Sequence, residues 1–244
     1  MWVTKFFSEI EFMNRNSINA MHLFLDRLRK EWLDLVAENK NESVYHQFLS
    51  EHSGIFLVNG LDSWIAISKL KLGSDLEVDF AVPHENYSMG LIWNLIEIER
   101  PENPPFTKSG NPSARLTHAL QQIRDWRRWL QEHHSMAQQM FCTNGVRYHS
   151  EPNFRYTVII GTRENSEKFL EKRNQLSEEC RVQIRSFDSV ADRFKMRMIW
   201  GRANLYDGDW DKKSPEMGLK LGNPFCHALT DSEWKRIHAE RKYG

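Results

Sequence analysis

Apolar residues recur along the chain at two different spacings, and the change of spacing separates the predicted elements. Between residues 18 and 38 they recur every three or four positions, which predicts an amphipathic helix packed on the main body. The stretch ESVYHQFLSEH predicts a short second helix with Val44, Phe48 and Leu49 on its apolar face. The period then changes, which predicts successive strands in IFLVNG, SWIAISKLKLG, LEVDFAVP and LIWNLIEIER. Because the links between them are short, we expect an antiparallel meander.

The second half of the chain alternates between helical and strand patterns. A proline-rich loop leads into the strong helix ARLTHALQQIRDWRRWLQEHH. It is followed by the strand NFRYTVIIGT, the helix SEKFLEKRNQLSEE, the strand RVQIRSF and the helix DSVADRFKMRM, which Asp188 would cap. This order predicts the α/β class, with a central mixed β-sheet flanked by helices.

Composition and charge restrict the class of protein without identifying it. The 244 residues suffice for one sizeable domain, and the three scattered cysteines do not indicate a disulfide framework. We find no long apolar run and no signal-peptide pattern, so the expectation is a cytoplasmic protein that does not bind a membrane. The net charge of zero gives no general support for nucleic-acid binding, although a basic surface can still be local.

Carboxylates stand at alternating positions in two of the predicted strands. In LEVDF, Glu77 and Asp79 share one face, and in LIEIER, Glu97 and Glu99 do the same. If the strands are neighbours in a hairpin, up to four carboxylates line one patch, where like charges about 4 Å apart repel by about 4 kcal/mol at an effective dielectric of about 20. A fold tolerates that repulsion only if the patch is wet, if some of the groups are protonated, or if a cation such as a divalent metal ion is bound there. The alternative is an ordinary solvent-exposed sheet face.

The helix that follows the carboxylates changes the balance between these two interpretations. It carries Gln122 and Trp126 at helical i, i+4 spacing, together with Arg124, Arg127 and Arg128. A carboxylate hairpin followed by a basic helix with glutamine resembles the PD-(D/E)XK nuclease superfamily. In that superfamily an acidic pair holds metal, and a helix with a QxxxY-like motif lies against the site. QIRDW would be the counterpart here, with tryptophan in place of tyrosine.

More closely, the chain resembles the nuclease domain of the Shedu anti-phage defence proteins from about residue 42 to 198. The resemblance is carried by ESVYHQFLSEH, EVDFAV, IEIERP with PPF, RLTHALQQIRDWRRWL, and YTVIIGTRE followed by VQIRSFDSV. It implies a PD-(D/E)XK restriction-endonuclease-like core in residues 41–200, with an N-terminal helical extension in 1–40 and an irregular tail in 201–244. The implied activity is a metal-dependent DNA endonuclease or nickase, and the implied assembly is a homo-oligomer.

The resemblance also implies roles for particular residues. Asp79 would bind Mg²⁺ or Mn²⁺, Glu97 would be the acidic residue of the ExK motif, and Gln122 would lie beside the metal or steady the attacking water. Glu42, at the start of the first core helix, is a weaker candidate, because a helix-start glutamate is also simply solvated. The substrate would be phage or plasmid DNA, contacted by the basic helix through Arg124, Arg127 and Arg128.

The chain departs from the family pattern at Glu99, where the motif requires lysine. Some restriction enzymes of the superfamily carry glutamate there, and a third carboxylate can bind metal or accept a proton from water. Alternatively, Arg100, Lys69 or Lys71 supplies the missing positive charge, arginine as a stabiliser of the phosphate rather than as a base. A third alternative is a catalytically degenerate nuclease fold that binds DNA or acts as a scaffold.

Overall fold

Residues 15–52, 56–57, 66–86, 90–141 and 153–192 are described in the computed structural model, and they form one mixed sheet with helices on both faces. This confirms the predicted α/β class. The five strands lie in chain order, the first three antiparallel and the last two parallel to β3. They are β1 Ile67–Leu72, β2 Leu76–Asn86, β3 Gly90–Ile98, β4 Phe154–Ile159 and β5 Gln183–Arg185.

The predicted helices occur in the predicted order, and two short helices that were not predicted, His134–Met140 and Arg163–Ser166, lie among them. The helices that the structure describes are α1 Arg15–Ala37, α2 Glu42–Glu51, α3 Ala114–Glu132, α4 His134–Met140, α5 Arg163–Ser166, α6 Leu170–Cys180 and α7 Phe187–Asp192, with a 3₁₀ turn at Glu167–Phe169. Helix α3 starts where its sequence predicts, because the Ser113 side chain accepts a hydrogen bond from the Leu116 amide at 3.2 Å. None of the described helices combines the length and the apolar character that crossing a membrane requires.

Two apolar cores lie on opposite faces of the sheet. In the first, Trp32 of α1 stacks on Phe187 of α7 at 5.7 Å between ring centroids, and its indole nitrogen donates to the Phe187 carbonyl. The second core holds the buried stripe of α3, which includes the predicted residues Leu116, Ala119, Leu120, Ile123 and Leu130. Strands β2 and β3 contribute side chains to both cores, so they are covered from both sides.

The alternation of side chains between the two faces of strand β2 is interrupted beside the predicted carboxylate site. Val78 belongs to the second core, but Phe80, two residues later, belongs to the first. In the neighbouring strand β1, Lys69 has a left-handed φ of 53°, which is rare for a residue with a Cβ. Lys69 lies opposite Asp79 in the register that pairs Ser68 with Phe80. The simple alternation assumed from the sequence therefore breaks at this pair.

Three local predictions need correction. The predicted strand IFLVNG is wrong at Phe56 and Leu57, the two of its residues that the structure describes. They follow α2 in a helical turn, and the Phe56 amide donates to the His52 carbonyl. Val44 is 37% exposed, and Tyr45 takes its place in the first core. Asp188 lies inside the first turn of α7 and accepts a hydrogen bond from the Arg163 amide instead of capping the helix. The predicted tail at 201–244 lies outside the described residues.

Candidate active site

The candidate carboxylates gather where strands β2 and β3 separate. Ladder pairing between these strands runs only as far as Phe80 and Ile96. Beyond this last pair, the Ile98 amide donates to the Asp79 Oδ2 atom at 2.9 Å. The Asp79 side chain therefore accepts a hydrogen bond in the place of a main-chain carbonyl. Glu97 is the next-to-last residue of β3, and Glu99 directly follows the strand. Separation of the strands thus leaves room for these side chains at the end of the sheet.

Burial excludes a solvated sheet face at this position. Asp79, Glu97 and Glu99 are only 6%, 7% and 4% exposed. Burial, and then the charges of Asp79 and Glu99, raise the pKa of Glu97 to about 10. Burial, and then the charge of Glu42, raise the pKa of Glu99 to about 7, although Arg115 opposes that effect. The acids therefore crowd one another in a region that water reaches poorly.

Glu42, rather than the predicted Glu77, is the fourth acid of this group. It begins α2, and burial followed by the charge of Asp79 raises its pKa. Glu77 instead forms ion pairs with two lysines, and its hydrogen bond with Lys71 lowers its pKa. We call Glu42, Asp79, Glu97 and Glu99 the carboxylate cluster.

A lysine from the preceding strand contacts the cluster. Lys69 Nζ lies 2.5 Å from Asp79 Oδ1 and 3.3 Å from Glu77 Oε1. Burial disfavours its charged form, but the hydrogen bond and charge of Asp79, together with those of Glu77, outweigh burial and raise the pKa of Lys69. Lys71 Nζ lies 2.6 Å from an oxygen of Glu77, which is not a member of the cluster. Of the three cations considered from the sequence, Lys69 is therefore the one that touches a buried carboxylate of the cluster.

The predicted glutamine helix also reaches the cluster. Gln122 lies on α3 next to Glu97, where its hydrogen bonding partly counteracts the rise of the Glu97 pKa. Its Oε1 atom is buried and has no hydrogen-bond partner within the described part of the chain. Trp126, one turn later, is buried in the second core and packs there as an apolar side chain. Gln122 thus leaves a buried acceptor oxygen beside the acids.

The remaining predicted cations are held by neighbours of their own. Arg124 donates to Gln121, and Arg128 pairs with Asp125 at 3.5 Å on the exposed side of α3. Arg127 donates to the carbonyls of Cys180 and Arg181 at 2.8 and 2.9 Å. Arg100 forms an ion pair with Glu102, although its charge still lowers the pKa of Glu42.

Two residues near the cluster were missed from the sequence. Arg115 lowers the pKa values of Glu42 and Glu99, and its position seven residues before Gln122 places both on one face of α3. His46 lies one turn after Glu42, and its Nε2 atom is 3.4 Å from the Asp79 carbonyl oxygen. Burial and the charge of Lys69 lower its pKa. The sequence offered a signal for each residue, because Arg115 stands at helical spacing from Gln122 and His46 stands at helical spacing from Glu42.

The donor set suits a hard divalent cation, although its present arrangement does not form a coordination sphere. No three described His, Cys, Asp or Glu side chains are grouped so as to hold a metal ion. Both Asp79 oxygens are already hydrogen-bonded, one to the Lys69 ammonium and one to the Ile98 amide. However, the cluster offers carboxylate oxygens that repel one another and the unpartnered Gln122 Oε1, which are the oxygen ligands that Mg²⁺ and Mn²⁺ prefer.

Comparison with known proteins identifies the family. No curated protein matches the chain. The family model "Shedu protein SduA, C-terminal" matches residues 39–190, which is more than half of the sequence. The matched range contains the five strands and every member of the carboxylate cluster. The chain therefore belongs to the family of the Shedu protein SduA, C-terminal.

Proposed function

We propose that the protein is a metal-dependent DNA endonuclease or nickase of anti-phage defence, with a PD-(D/E)XK-like core. The observation that carries the proposal is the burial of Asp79, Glu97 and Glu99 beside Lys69 at the open end of strands β2 and β3. A fold buries mutually repelling carboxylates only if some of them are protonated or a cation compensates them, because each unpaired buried charge costs several kcal/mol by rough estimate, and a metal ion meets that need for all of them at once. Family membership supports the role in defence.

Asp79, Glu97 and Glu99 would hold Mg²⁺ or Mn²⁺, with the Gln122 Oε1 atom available to the metal or to one of its waters. When bound, such an ion stabilises negative charge on phosphate oxygens and lowers the pKa of a bound water. Binding would also release the proton that a pKa of about 10 keeps on Glu97 at neutral pH.

The other residues of the site supply charge and proton transfer. Lys69 places a positive charge beside Asp79 and would substitute for the lysine that the motif of the superfamily carries at the position of Glu99. As the alternative to its role as a metal ligand, Glu99 would accept a proton from water, for which its pKa of about 7 is near the optimum at neutral pH. Arg115 lies near enough to Glu42 and Glu99 to influence both, and it would help to orient the DNA backbone.

Plasmid nicking tests the proposal. Supercoiled plasmid is incubated with the wild type and with Asp79→Ala in Mg²⁺, in Mn²⁺ and in EDTA. We expect nicking by the wild type with either metal, none in EDTA, and a loss of about 10²-fold or more in the variant. Asp75→Ala is the matched control, because Asp75 lies exposed in the turn before β2. Equal cutting by Asp79→Ala and Asp75→Ala would show that the assigned site is wrong.

A second candidate function is a degenerate nuclease fold that binds DNA, or acts as a scaffold, without cutting. It is favoured by the complete hydrogen bonding of the Asp79 carboxylate, with Lys69 where a metal would otherwise bind. Calorimetric titration with Mn²⁺ separates the two functions. Saturable binding that Asp79→Ala removes supports the nuclease, whereas no binding at millimolar Mn²⁺ with intact DNA binding supports the degenerate fold.

A further inference from the structure

Lys69 lies between two carboxylates of strand β2, one inside the carboxylate cluster and one outside it. Its Nζ atom is 2.5 Å from Asp79 Oδ1 and 3.3 Å from Glu77 Oε1. In the antiparallel register Lys71 pairs with Glu77, and Lys69, two residues earlier, lies diagonally across from Glu77. Diagonal neighbours on adjacent strands remain within reach of a long side chain. Lys69 thus contacts a buried acid and an outer acid from a single backbone position.

The contact between Lys69 and Asp79 competes with metal binding at the same carboxylate. The Lys69 ammonium donates to Asp79 Oδ1, and the Ile98 amide donates to Asp79 Oδ2. An ammonium on one of these oxygens repels a divalent cation that binds the same carboxylate. The Ile98 amide belongs to the backbone of β3, whereas the ammonium stands at the end of a flexible side chain. Lys69 is therefore the partner of Asp79 that can move away.

The exposure of the side chains shows where Lys69 can go. Only 7% of the Asp79 side chain is exposed, but 42% of the Lys69 side chain is. Glu77 is held from its other side, because Lys71 Nζ lies 2.6 Å from its Oε2 atom. That ion pair leaves the Oε1 atom of Glu77 facing Lys69. Lys69 can therefore exchange the inner acid for the outer one by a movement of its side chain alone.

We propose that Glu77 is a positioning residue, which receives the Lys69 ammonium when Asp79 binds a metal ion. The inference rests on the proposed function, because the metal ion is the one that the carboxylate cluster would hold. Without an outer acid, Lys69 would give up its counter-ion to water as the metal ion binds. With Glu77, one ion pair replaces another, and the positive charge stays beside the site. Glu77 thus favours metal binding although it belongs to no group of ligands.

Calorimetric titration with Mn²⁺, on the full chain and without DNA, tests this exchange. We expect Glu77→Gln to bind Mn²⁺ about three- to fivefold more weakly than the wild type, which is the size of effect that a partly exposed ion pair has. Lys69→Met should instead bind Mn²⁺ about tenfold more tightly, because no ammonium then competes at Asp79. Glu77→Asp keeps the charge and should restore the affinity to within about twofold of the wild type.

Two further variants separate this role from a general attraction of Mn²⁺ by negative charge. If Glu77 acts through Lys69, adding Glu77→Gln to Lys69→Met should change the affinity by less than about twofold. Asp75→Asn removes a charge from the exposed turn before β2 and should bind Mn²⁺ as the wild type does. An equal loss from Glu77→Gln with and without Lys69 would overturn the inference, and so would an equal loss in Asp75→Asn.

Thermal melting first establishes which variants are folded. If Lys69→Met does not fold, the comparison of Glu77→Gln with Glu77→Asp and Asp75→Asn decides the inference in the otherwise unchanged chain. Failure of the proposed function alone looks different: the wild type binds Mn²⁺ without nicking plasmid, and Glu77→Gln still binds it more weakly. Absence of Mn²⁺ binding by the wild type would overturn the exchange together with the metal dependence of the proposed function.

Discussion

The carboxylate cluster and the neighbouring Glu77 show two different ways of placing acids on one sheet. The cluster buries Asp79, Glu97 and Glu99 and half-buries Glu42, and burial followed by mutual repulsion raises the pKa values of Glu97 and Glu99. Glu77 shows the ordinary arrangement, since Lys69 and Lys71 pair with it directly. The comparison indicates that the cluster, unlike Glu77, is a place where a bound cation can supply counter-charge.

The two regions should respond differently to substitution. The cluster is buried and its groups act on one another, so a single change should alter catalysis strongly. Glu77 is partly exposed and its ion pairs act through solvent, so a change there should alter stability only slightly and in a way that depends on salt. The predictions below test this difference, beginning with the largest effect.

The largest effect is expected at Lys69. Lys69→Met removes the cation that contacts Asp79 and should reduce plasmid nicking by about 10²–10³-fold, the usual effect of losing one charge-stabilising group. Methionine keeps a Cβ at the left-handed backbone position, so it adds no new backbone strain. Initial rates of nicking in Mg²⁺ and Mn²⁺ measure the effect.

Lys71→Met is the matched comparison for this prediction. Lys71 has the same charge and lies on the same strand, but it contacts Glu77 rather than a buried acid of the cluster. Its removal should change the nicking rate by no more than about threefold, because an exposed ion pair contributes little. Similar losses in the two variants would mean that Lys69 has no special role.

A smaller effect is expected from Gln122, which supports the cluster from α3. Gln122→Leu removes the hydrogen bonding to Glu97 and the free acceptor oxygen, and it should lower the nicking rate by about 10–100-fold. Gln121→Leu is the control, because Gln121 is exposed and bonds Asp125 on the outer side of the helix. If both glutamine variants cut at the same rate, Gln122 is not part of the site.

Much of the fold was predictable because its elements have strong local patterns. The stripe of α3, its Ser113 cap and the short β1–β2 and β2–β3 links all agree with the tertiary structure. The error at IFLVNG has a physical reason: an apolar run of that length does not distinguish a strand from a helical turn. Phe56 is buried in the first core from a helical turn, which only the packing determines.

The site was predictable in its acids but not in their surroundings. The alternation of LEVDF and LIEIER located Asp79, Glu97 and Glu99, which the structure does bring near one another. It also grouped Glu77 with them, because alternation gives no indication of the left-handed Lys69 or of the change of face in β2. Glu42, which the family resemblance indicated, and His46, one helical turn after it, join from a helix that is distant in sequence, and no pattern within the two strands reports such a contact.

A third prediction separates a structural arginine from a surface one. Arg127 was predicted to bind DNA, but it donates to two main-chain carbonyls and lies over Tyr156. Arg127→Met should therefore lower the free energy of unfolding by about 2 kcal/mol. Arg128→Met, which removes only a pair with Asp125, should cost less than about 0.5 kcal/mol. Urea unfolding measures both values, and equal values would show that the Arg127 contacts do not stabilise the fold.

The smallest effect concerns the pH dependence of stability in EDTA. The pKa of Glu97 is raised from 4.5 to about 10, so its protonated form favours the folded state. Its contribution is complete below about pH 4.5 and is lost as pH rises towards 10, since the unfolded chain ionises first. Glu97→Gln keeps a neutral side chain at every pH. The variant should therefore become more stable relative to wild type as pH rises, by about 1.4 kcal/mol between about pH 6 and pH 7.

Glu77→Gln should show the opposite trend, because hydrogen bonds with Lys71 and Lys69 lower the pKa of Glu77. The contribution of Glu77 is present above about pH 4.5 and is lost as pH falls through its lowered pKa, so the variant should be the less stable protein at neutral pH and should approach wild type in acid.

Thermal melts from about pH 3 to pH 9 compare the three proteins. A constant difference between Glu97→Gln and wild type over that range would mean that Glu97 is ionised in the metal-free fold. The positive charge of Lys69 and Arg115 would then already balance the carboxylate cluster, and the contrast with Glu77 would disappear.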